Sequence, residues 1–287
     1  MIKGFQCPFA LDTPVDFDDC VKKCAKRCLS LPLLLALMRE REVVPGVYSI
    51  TELSNPRRQL YLKRHMDFYI SPLFSTFALF GTAVHNLIEM QKDKLAEIGV
   101  ADDYCIEERR TIEFNGINLT GRVDQYNKKT KTLFDYKTIK SYAVEKMKKE
   151  HFEDNSYLLQ LNGYRTFFFP EAEHLIIEAF VKDWGYDKYK KNGVMPIEKV
   201  EIPILSDEYV KETFKRLIDQ HLKVEKSGQL PDCTKDEVWF NENPKSDNFG
   251  IPLRCRDYCE VNSICDQYRR FLSEADHDQK RRVYPNG

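Results

Sequence analysis

The sequence lacks any uninterrupted apolar run long enough to span a bilayer, which needs about 20 predominantly apolar residues. An apolar stretch over residues 29–38 is short and contains Pro32. A secretory signal pattern is also absent, because Asp12 and Asp16 come early and no clean apolar core follows a basic start. These absences predict a cytoplasmic protein that contacts no membrane.

A strong net charge is also lacking. The 44 Lys and Arg residues nearly balance the 45 Asp and Glu residues, which gives a formal net charge of −1. This balance neither indicates nor excludes binding to nucleic acid, because a local basic groove is sufficient. The 287 residues, 42% of them hydrophobic, are enough for one large globular domain or for a core with appended segments.

Cysteine, in contrast, is plentiful. In a chain predicted to be intracellular, nine cysteines favour metal binding over disulfides. Cys255, Cys259 and Cys265 lie within eleven positions of one another, and Cys233 precedes them. Thiolates are ligands of iron–sulfur clusters and of zinc, so we predict that these four cysteines form one metal centre. The surrounding segment lacks a periodic apolar face, and metal ligation can supply folding energy there.

Four more cysteines lie in the first 45 residues. Cys20, Cys24 and Cys28 are spaced by four and would form one stripe on a helix. Their spacing favours small apolar side chains lining a core-facing helix surface. A metal site that includes Cys7 is the alternative, although zinc sites more often use short knuckle loops.

The stretch 121–137 predicts a β-hairpin with a polar turn. Asp124 lies on the first arm, and Asp135 and Lys137 lie on the second. Positions i and i+2 of a strand face the same side, so Asp135 and Lys137 project together and the hairpin can bring Asp124 beside them. Nearby carboxylates repel and need a cation, so the group predicts a Mg²⁺ or Mn²⁺ site that activates water. A solvated salt bridge is the alternative for an isolated D-x-K triplet.

Other candidate residues lie on predicted helices. His85 and Glu89 are one turn apart on a long helix predicted over residues 74–98, which suits a metal ligand or a residue that supports one. The predicted strands of the chain cover residues 105–114, 117–126, 132–139, 174–184 and 200–205, and a further helix covers residues 207–226. The Asn-Gly pair between the first two strands is a strong two-residue hairpin signal.

Two helical pairs could contact a phosphate backbone. Gln160 and Tyr164 are spaced i, i+4 on a helix predicted over residues 157–169. Arg57 and Arg58 belong to a locally basic element that could bind phosphates. A solvated helix face is the alternative for the arginines, and a Tyr packed against the sheet is the alternative for Tyr164.

Taken in order, these motifs resemble the PD-(D/E)xK nuclease superfamily, specifically its RecB-like branch. They are G-x3-H-x3-E at 81–89, G-x2-D at 121–124, D-x-K at 135–137 and Q-x3-Y at 160–164. The C-terminal C-x3-C-x5-C is similar to that of the iron–sulfur members: the CRISPR-associated exonucleases of the fourth Cas family, their phage relatives and the AddB-type nucleases. The resemblance covers residues 46–270.

The resemblance implies an α/β fold with a restriction-endonuclease-like core, a mixed central sheet flanked by helices. This core would cover residues 46–227, after a Cys-containing helical segment at 1–45 and before a Cys-rich metal-binding segment at 228–287. The implied ligands of Mg²⁺ or Mn²⁺ are His85, Asp124, Asp135 and the backbone carbonyl of Tyr136. Catalysis would use Asp124, Asp135 and Lys137, with DNA contacts from Gln160 and Tyr164. The basic element adds Arg57 and Arg58 as predicted DNA contacts, and the helical spacing adds Glu89 as a supporting residue.

The implied function is a metal-dependent DNA exonuclease with a structural 4Fe-4S cluster or zinc, acting on single-stranded DNA or free ends beside recombination or CRISPR-type protein partners. Alternatives are an endonuclease of the same fold, a non-catalytic DNA-binding protein and a metal-dependent interaction module. One departure from the family pattern is Asn55, which stands where cluster-bearing relatives usually have their first cysteine. The fourth thiolate is therefore expected from Cys233 or from the Cys20–Cys28 stripe.

Overall fold

The computed structural model describes residues 1–10, 12–38, 42–149, 156–241, 246 and 249–274. The fold is α/β, with a mixed multi-stranded sheet flanked by helices. Within the described part of the chain, no helix combines the length and apolar character that a membrane crossing requires. The end of the predicted Cys-rich segment, 275–287, lies outside the described residues.

Strands and helices are interspersed along the described chain. The strands are β1 (Ile2–Cys7), β2 (Thr13–Asp16), β3 (Val47–Ser49), β4 (Phe68–Ile70), β5 (Tyr104–Phe114), β6 (Ile117–Asn127), β7 (Thr132–Ile139), β8 (His174–Val181) and β9 (Ile197–Glu201). The helices are α1 (Phe17–Lys23), α2 (Leu31–Leu37), α3 (Ile50–Leu53), α4 (Arg57–His65), α5 (Pro72–Glu89), α6 (Lys92–Glu97), α7 (Ser141–Lys149), α8 (Ser156–Phe168), α9 (Tyr186–Asn192), α10 (Asp207–Ser227), α11 (Lys235–Val238) and α12 (Asp266–Glu274). Short 3₁₀ turns cover Ala101–Asp103 and Asn262–Ile264, and a π-helical turn covers Arg254–Tyr258.

Two tight turns fix the register of β5, β6 and β7. Asn115 and Gly116 have φ values of 48° and 75°, as a two-residue type I′ turn requires. In the next turn the Asn127 carboxamide oxygen accepts hydrogen bonds from the amides of Lys129 and Thr130, at 3.0 and 3.1 Å. The strands predicted for this region are confirmed, with ends that differ by at most one residue.

The main sheet leaves a gap along one edge of β6. The strand order is β3-β6-β7-β8-β9, and β5 pairs with β6 along its length, so β3 and β7 share the opposite edge of β6. There β3 pairs with residues 118–120 and β7 pairs with residues 125–127. Residues 121–124 therefore lie where neither strand continues the ladder. The pairing of β7 with β8 is parallel and that of β8 with β9 is antiparallel, so the predicted mixed sheet is confirmed.

Gly121 lies at this gap and allows α8 to pack closely on the sheet. A Cβ atom at this position would lie 2.5 Å from Cε2 of Phe168 and 2.8 Å from Cε1 of Tyr164. Both rings belong to α8 and are buried. The missing side chain therefore sets how near α8 approaches β6.

We expect Gly121→Ala to lower the free energy of unfolding by about 1–3 kcal/mol, the usual cost of overpacking a filled core. Gly185→Ala is the matched control, because nothing lies within 4 Å of a Cβ there and its φ of −158° suits any residue. Chemical denaturation of both variants measures the difference. Equal stability of the two variants would show that the packing of α8 does not depend on Gly121.

The described chain divides into two compact units. One comprises 44–54 and 80–219, and the other comprises 1–43, 55–79 and 220–287. The first unit holds the main sheet. The second holds the small sheet β2-β1-β4 and a core that includes Phe5, Leu34, Phe68, Val261 and Tyr268. The N-terminal and C-terminal segments, predicted as separate flanks of the nuclease core, thus share one unit with α4.

Two predicted helices are shorter in the structure. The helix predicted over residues 74–98 is split into α5 and α6. At the break the Gln91 side chain donates to the Leu87 carbonyl at 2.6 Å, and this carbonyl would otherwise accept the Gln91 amide. The prediction that Cys20, Cys24 and Cys28 lie on one helix is also wrong, because α1 ends at Lys23 and Cys24 has extended backbone angles. No side chain of α1 is buried, so packing does not extend this helix.

The last strand is shifted relative to the sequence. It was expected over residues 200–205 and lies at 197–201. Pro203 has no amide hydrogen to donate, so it cannot continue the ladder with β8.

Candidate active site

Three acids lie in a row across the centre of the main sheet. Ile106 of β5 pairs with Gln125 of β6, and Glu108 pairs with Val123. Glu107 therefore lies opposite Asp124. The register of β6 with β7, continued by one residue, places Asp135 opposite Asp124. Residues directly opposite on neighbouring strands share a face, so the three carboxylates lie on one face of the sheet. All three are nearly inaccessible: the side chain of Glu107 is 4% exposed, and Asp124 and Asp135 are buried.

The gap between β6 and β7 opens at this row. Because the paired residues end at Gln125 and Phe134, the amide of Tyr136 has no strand partner there and donates instead to Asp124 Oδ2, at 2.7 Å. In a strand the N–H and C=O of one residue point to the same side. The carbonyl of Tyr136, a predicted metal ligand, therefore faces the same opening as the Asp124 carboxylate.

Asp135 connects the acids to Lys137 and Gln160. Its Oδ1 accepts hydrogen bonds from Lys137 Nζ at 2.9 Å and from Gln160 Nε2 at 3.1 Å. Its Oδ2 is buried and lies 2.7 Å from Lys137 Nζ, but the angles are not those of a hydrogen bond. A buried carboxylate oxygen without a hydrogen-bond donor is costly, and a cation in the opening would satisfy it.

The electrostatics of the row favour a bound cation. Burial, followed by repulsion from Asp135, raises the pKa of Asp124 to about 7. Burial alone would lower the pKa of Lys137, but the Asp135 and Asp124 carboxylates outweigh it and hold the ammonium charged. One lysine cannot neutralise two carboxylates, and a hard divalent ion prefers such oxygen ligands. The donor set thus fits Mg²⁺ or Mn²⁺.

His85 reaches the row from α5. Its Nδ1 lies 2.7 Å from Glu107 Oε1 and 3.6 Å from Asp124 Oδ1. An ionised carboxylate only accepts hydrogen bonds, so Nδ1 carries the proton and Nε2 keeps a lone pair when the ring is neutral. The ligand atoms of His85, Glu107 and Asp124 lie within 4.8 Å of one another, and Asp135 is not part of this group.

Glu89 supports this arrangement through an arginine rather than touching His85. Arg122 lies 3.4 Å from Glu89 Oε2 by its Nη2 and 2.6 Å from Glu107 Oε2 by its Nε. One carboxylate oxygen of Glu107 therefore contacts His85, and the other contacts Arg122. This pattern matches a carboxylate that orients a metal-binding histidine. Glu89 is thus connected to His85 through Arg122 and Glu107, and its predicted supporting role stays a prediction.

Glu107 was missed by the sequence interpretation, although the hairpin register contains it. Counting back from the Asn115-Gly116 turn pairs residue 107 with residue 124. Its backbone is unusual as well, since Glu107 has a φ of 50° and the ladder is interrupted there. A non-glycine residue with positive φ inside a strand is rare and frequently marks a functional position.

We expect Glu107→Ala to weaken Mn²⁺ binding by about 10- to 100-fold, as loss of the carboxylate behind a ligating histidine does. Glu108→Ala is the matched control, because Glu108 is the next residue and pairs with Arg110 at 2.7 Å, away from the row. Isothermal titration of both variants with Mn²⁺ gives the two dissociation constants. Equal dissociation constants would remove Glu107 from the site.

Gln160 and Tyr164 lie next to the acids but are buried. Gln160 Nε2 also contacts the Tyr164 hydroxyl at 3.3 Å, and that hydroxyl lies 3.3 Å from Thr51 Oγ1. The exposed fractions are 9% for Gln160 and 5% for Tyr164. In this arrangement Gln160 positions Asp135, and a DNA contact by either side chain stays a prediction.

The two predicted DNA-contacting arginines have internal partners. Arg58 is 5% exposed and donates to the carbonyls of Leu230 and Pro231 and to the carboxylates of Asp232 and Asp266. This burial contradicts the predicted DNA contact by Arg58, whose guanidinium instead joins two backbone segments. Arg57 lies 3.4 Å from Glu237 and is also largely covered.

The four C-terminal cysteines predicted as metal ligands belong to or pack against one core cluster. The Gln267 side chain accepts from the Cys233 amide at 2.8 Å and donates to the Cys233 carbonyl at 2.9 Å, so Cys233 is tied to the residues after Cys265. Burial and then the neighbouring Cys259, Cys233 and Cys265 raise the pKa of Cys255 to about 12. Cys20 and Cys28 pack against this cluster too, and the sharing of one metal by the four C-terminal thiols stays a prediction.

This quartet supplies the sulfur atoms that a thiolate-bound centre requires. Burial raises the pKa of Cys259 to about 11, although the Val261 amide, Lys63 and Arg254 partly oppose this rise. Zn–S bonds of about 2.3 Å place tetrahedral sulfurs about 3.8 Å apart. Among the described residues, no three cysteine sulfurs lie within 4.8 Å of one another. The thiols are therefore not spaced as in a zinc-bound site.

Asn55 contacts this region although it is not a thiol. Its Oδ1 accepts a hydrogen bond from Arg254 Nη2 at 2.9 Å. Arg254 in turn lies near Cys259, Cys233 and Cys255. Asn55 thus holds the arginine that lies near these thiols.

Comparison with known proteins gives no family. No protein-family model matches this chain, and no curated protein matches it. Among solved structures, the chain is similar to one described as "Crystal structure of SSO0001", with 18% identity and a TM-score of 0.46. The likeness covers 82% of this chain and 92% of that one. At this identity and TM-score it says nothing about function.

Proposed function

We propose that this chain is a metal-dependent DNA exonuclease with a restriction-endonuclease-like core of the PD-(D/E)xK type. The row formed by Glu107, Asp124 and Asp135, with Lys137 beside it at an opening of the sheet, carries the proposal. Buried carboxylates that face a gap are costly unless a cation binds there. The motif order from His85 to Tyr164 connects this geometry to nucleases of the RecB-like branch.

Each residue of the site has a distinct role in the proposed reaction. Asp124, Asp135, His85 Nε2 and the Tyr136 carbonyl would hold Mg²⁺ or Mn²⁺, which when bound lowers the pKa of water and polarises the phosphate. Lys137 holds the attacking water or stabilises charge on the phosphate. Gln160 fixes Asp135 by donating to its Oδ1.

The surroundings also suit a polyanionic substrate. The paired strands β7 and β8 end at Ile139 and Val181, and each is followed directly by a lysine, Lys140 and Lys182. Two ammonium groups therefore lie near each other just beyond the end of β7 that carries Lys137. Burial and the charge of Lys140 lower the pKa of Lys182. Bound phosphate oxygens would relieve this repulsion, as they do for basic groups in protein–DNA contacts.

In the proposed function, Cys233, Cys255, Cys259 and Cys265 hold an iron–sulfur cluster, with zinc as the alternative. Thiolate ligation would offset the cost of burying these groups and fix the C-terminal segment in its unit. Arg58 supports the same region from α4, since it binds the residues that precede Cys233 and follow Cys265. The role of this centre is structural.

The test of exonuclease activity compares linear and covalently closed circular single-stranded DNA in Mn²⁺. We expect nucleotides to be released from the linear molecule and the circle to remain intact. Cutting of the circle would identify an endonuclease of the same fold. Cleavage of neither substrate by folded, metal-loaded protein would contradict the proposed function. An Asp124→Asn variant purified in parallel controls for contaminating nucleases.

A further inference from the structure

Large aromatic side chains are exposed just beyond the ends of β7 and β8. Tyr142 follows β7, and Trp184, Tyr186 and Tyr189 follow β8. All four are exposed, Tyr142 and Tyr186 by 71% and 63%. Within the described helix α9, which carries Tyr186 and Tyr189, no residue is buried. These tyrosines therefore do not serve a core, and an exposed aromatic group of this kind is typical of a binding surface.

The start of α7 and the length of α9 are held side by side. The Asp183 carboxylate accepts a hydrogen bond from the Ser141 amide at 2.6 Å, and Lys188 Nζ donates to the Ser141 hydroxyl at 2.8 Å. One turn further on, Asn192 Nδ2 donates to Glu145 Oε1 at 2.6 Å. The two contacts are four residues apart on both helices, so α7 and α9 run next to each other in the same direction.

The tyrosines of these helices lie near lysines. The rings of Tyr186 and Tyr189 are stacked, with centroids 6.2 Å apart and planes inclined by 28°. Lys190 Nζ lies 4.8 Å from the centroid of the Tyr186 ring. On α7, Tyr142 and Lys146 are both exposed and lie one helical turn apart. Each helix thus presents an aromatic ring and an ammonium group together.

Positive charge predominates around these rings. Residues 140–146 and 182–192 contain six lysines and three acids. Two of the acids are engaged within the surface, because Asp183 pairs with Lys188 at 2.7 Å and Glu145 accepts a hydrogen bond from α9. The surface is therefore complementary to a polyanion.

This surface begins next to the proposed active site. Lys137 lies in β7, two residues before the strand ends at Ile139. The Lys182 amide donates to the Ile139 carbonyl at 2.9 Å, so β7 and β8 end together. From there the chain enters α7 at Ser141 and continues from Lys182 to α9. The aromatic helices thus follow directly from the two strands beside the acid row.

Single-stranded DNA is the polyanion that fits flat, exposed rings. Aromatic side chains stack on unpaired bases, and basic side chains follow the phosphates between them. Bases within a duplex are already stacked on one another and are out of reach. A protein partner fits less well, because lysine is depleted in protein–protein interfaces.

We propose that Tyr142, Tyr186 and Tyr189, with the lysines beside them, bind single-stranded DNA by stacking on its bases and contacting its phosphates. Binding at this surface does not require cleavage. The passage of the bound strand to the acid row rests on the proposed nuclease function.

The first test measures the binding of a fluorescently labelled oligothymidylate to full-length protein by anisotropy, with no divalent metal added. We expect Tyr186→Ala/Tyr189→Ala to weaken binding at least about tenfold, because two stacking rings are lost. Tyr186→Phe/Tyr189→Phe keeps both rings and should bind like the wild type. Tyr209→Ala is the matched control, because Tyr209 is an exposed tyrosine on α10.

The phosphate contacts are tested by the salt dependence of the same binding. Lys190→Ala/Lys191→Ala should reduce the slope of log affinity against log salt by about 0.7 for each phosphate contact that is lost. An unchanged slope would contradict the phosphate contacts of α9.

Three results would overturn the stacking surface. One is equal affinity of wild type and Tyr186→Ala/Tyr189→Ala for the single strand. Another is an equal loss of affinity in the Phe and Ala double variants, since the rings would then not be the cause. The last is tighter binding to a duplex of the same length than to the single strand.

Failure of this surface and failure of the proposed nuclease function give different results. Tyrosine-dependent binding by folded wild-type protein that releases no nucleotides in Mn²⁺ would support the surface and contradict the nuclease. Nucleotide release by wild type, with unchanged binding and KM in Tyr186→Ala/Tyr189→Ala, would do the reverse. When both proposals hold, the Ala double variant should raise KM at least about tenfold and leave kcat within about twofold of wild type.

Discussion

Replacing Asp135 by Asn should lower the rate of DNA cleavage at least about a hundredfold, and Lys137→Ala should do the same, because each removes a group at the reacting phosphate. Neither change should unfold the protein. In the absence of metal, Asp135→Asn removes the repulsion from Asp124 but also the carboxylate that pairs with Lys137, so we expect only a small change in melting temperature. Cleavage of end-labelled DNA under single-turnover conditions, combined with a melting curve, measures both effects.

Lys129→Ala is the matched control for the lysine variant. Lys129 lies on the hairpin turn before β7, its side chain is 76% exposed, and its nearest ion-pair partner is Asp103 at 3.4 Å. A surface pair of this kind contributes little to stability. Near-normal cleavage by either Asp135→Asn or Lys137→Ala would remove the D-x-K group from the chemistry.

Replacing Cys255 by Ser should remove the C-terminal metal centre and sharply lower soluble yield and melting temperature. Structural metal sites contribute about 10–16 kcal/mol of apparent binding free energy in small metal-dependent domains, so the loss is large on the scale of folding. Cys255 is buried beside the other three thiols, and serine cannot replace its thiolate. Metal analysis and thermal denaturation of purified protein give the result.

The same centre should have little influence on the reaction itself. The thiols belong to one unit and the acid row to the other, so residual folded Cys255→Ser should cleave DNA at a rate close to that of wild type per folded molecule. Cys105→Ser controls for loss of a buried thiol that has no cysteine neighbours. Metal content equal to wild type in Cys255→Ser would contradict the assignment of Cys255 as a ligand.

The central hairpins could be predicted because local chemistry determines them. Asn115 and Gly116 tolerate positive φ, and Asn127 closes its own turn, so the register across β5, β6 and β7 follows from short-range signals. The same register places Asp124 beside Asp135. It also places Glu107 beside Asp124, which reading the motifs alone did not show.

The second unit could not be predicted in the same way. Its strands β1, β2 and β4 are short, and β1 pairs in parallel with a strand more than sixty residues away. Such pairing leaves no local pattern in the sequence. Arg58 illustrates the same limit, because its basic neighbours suggest an exposed face while distant carbonyls and carboxylates bury it.

The most direct test of the central claim is nucleotide release from linear DNA by purified wild-type protein in Mn²⁺, with EDTA and an Asp124→Asn variant as controls. The account predicts release that depends on the metal, follows the protein through the last column and is absent from the variant. Release that persists in EDTA or in Asp124→Asn, or no release by folded wild-type protein, would contradict it.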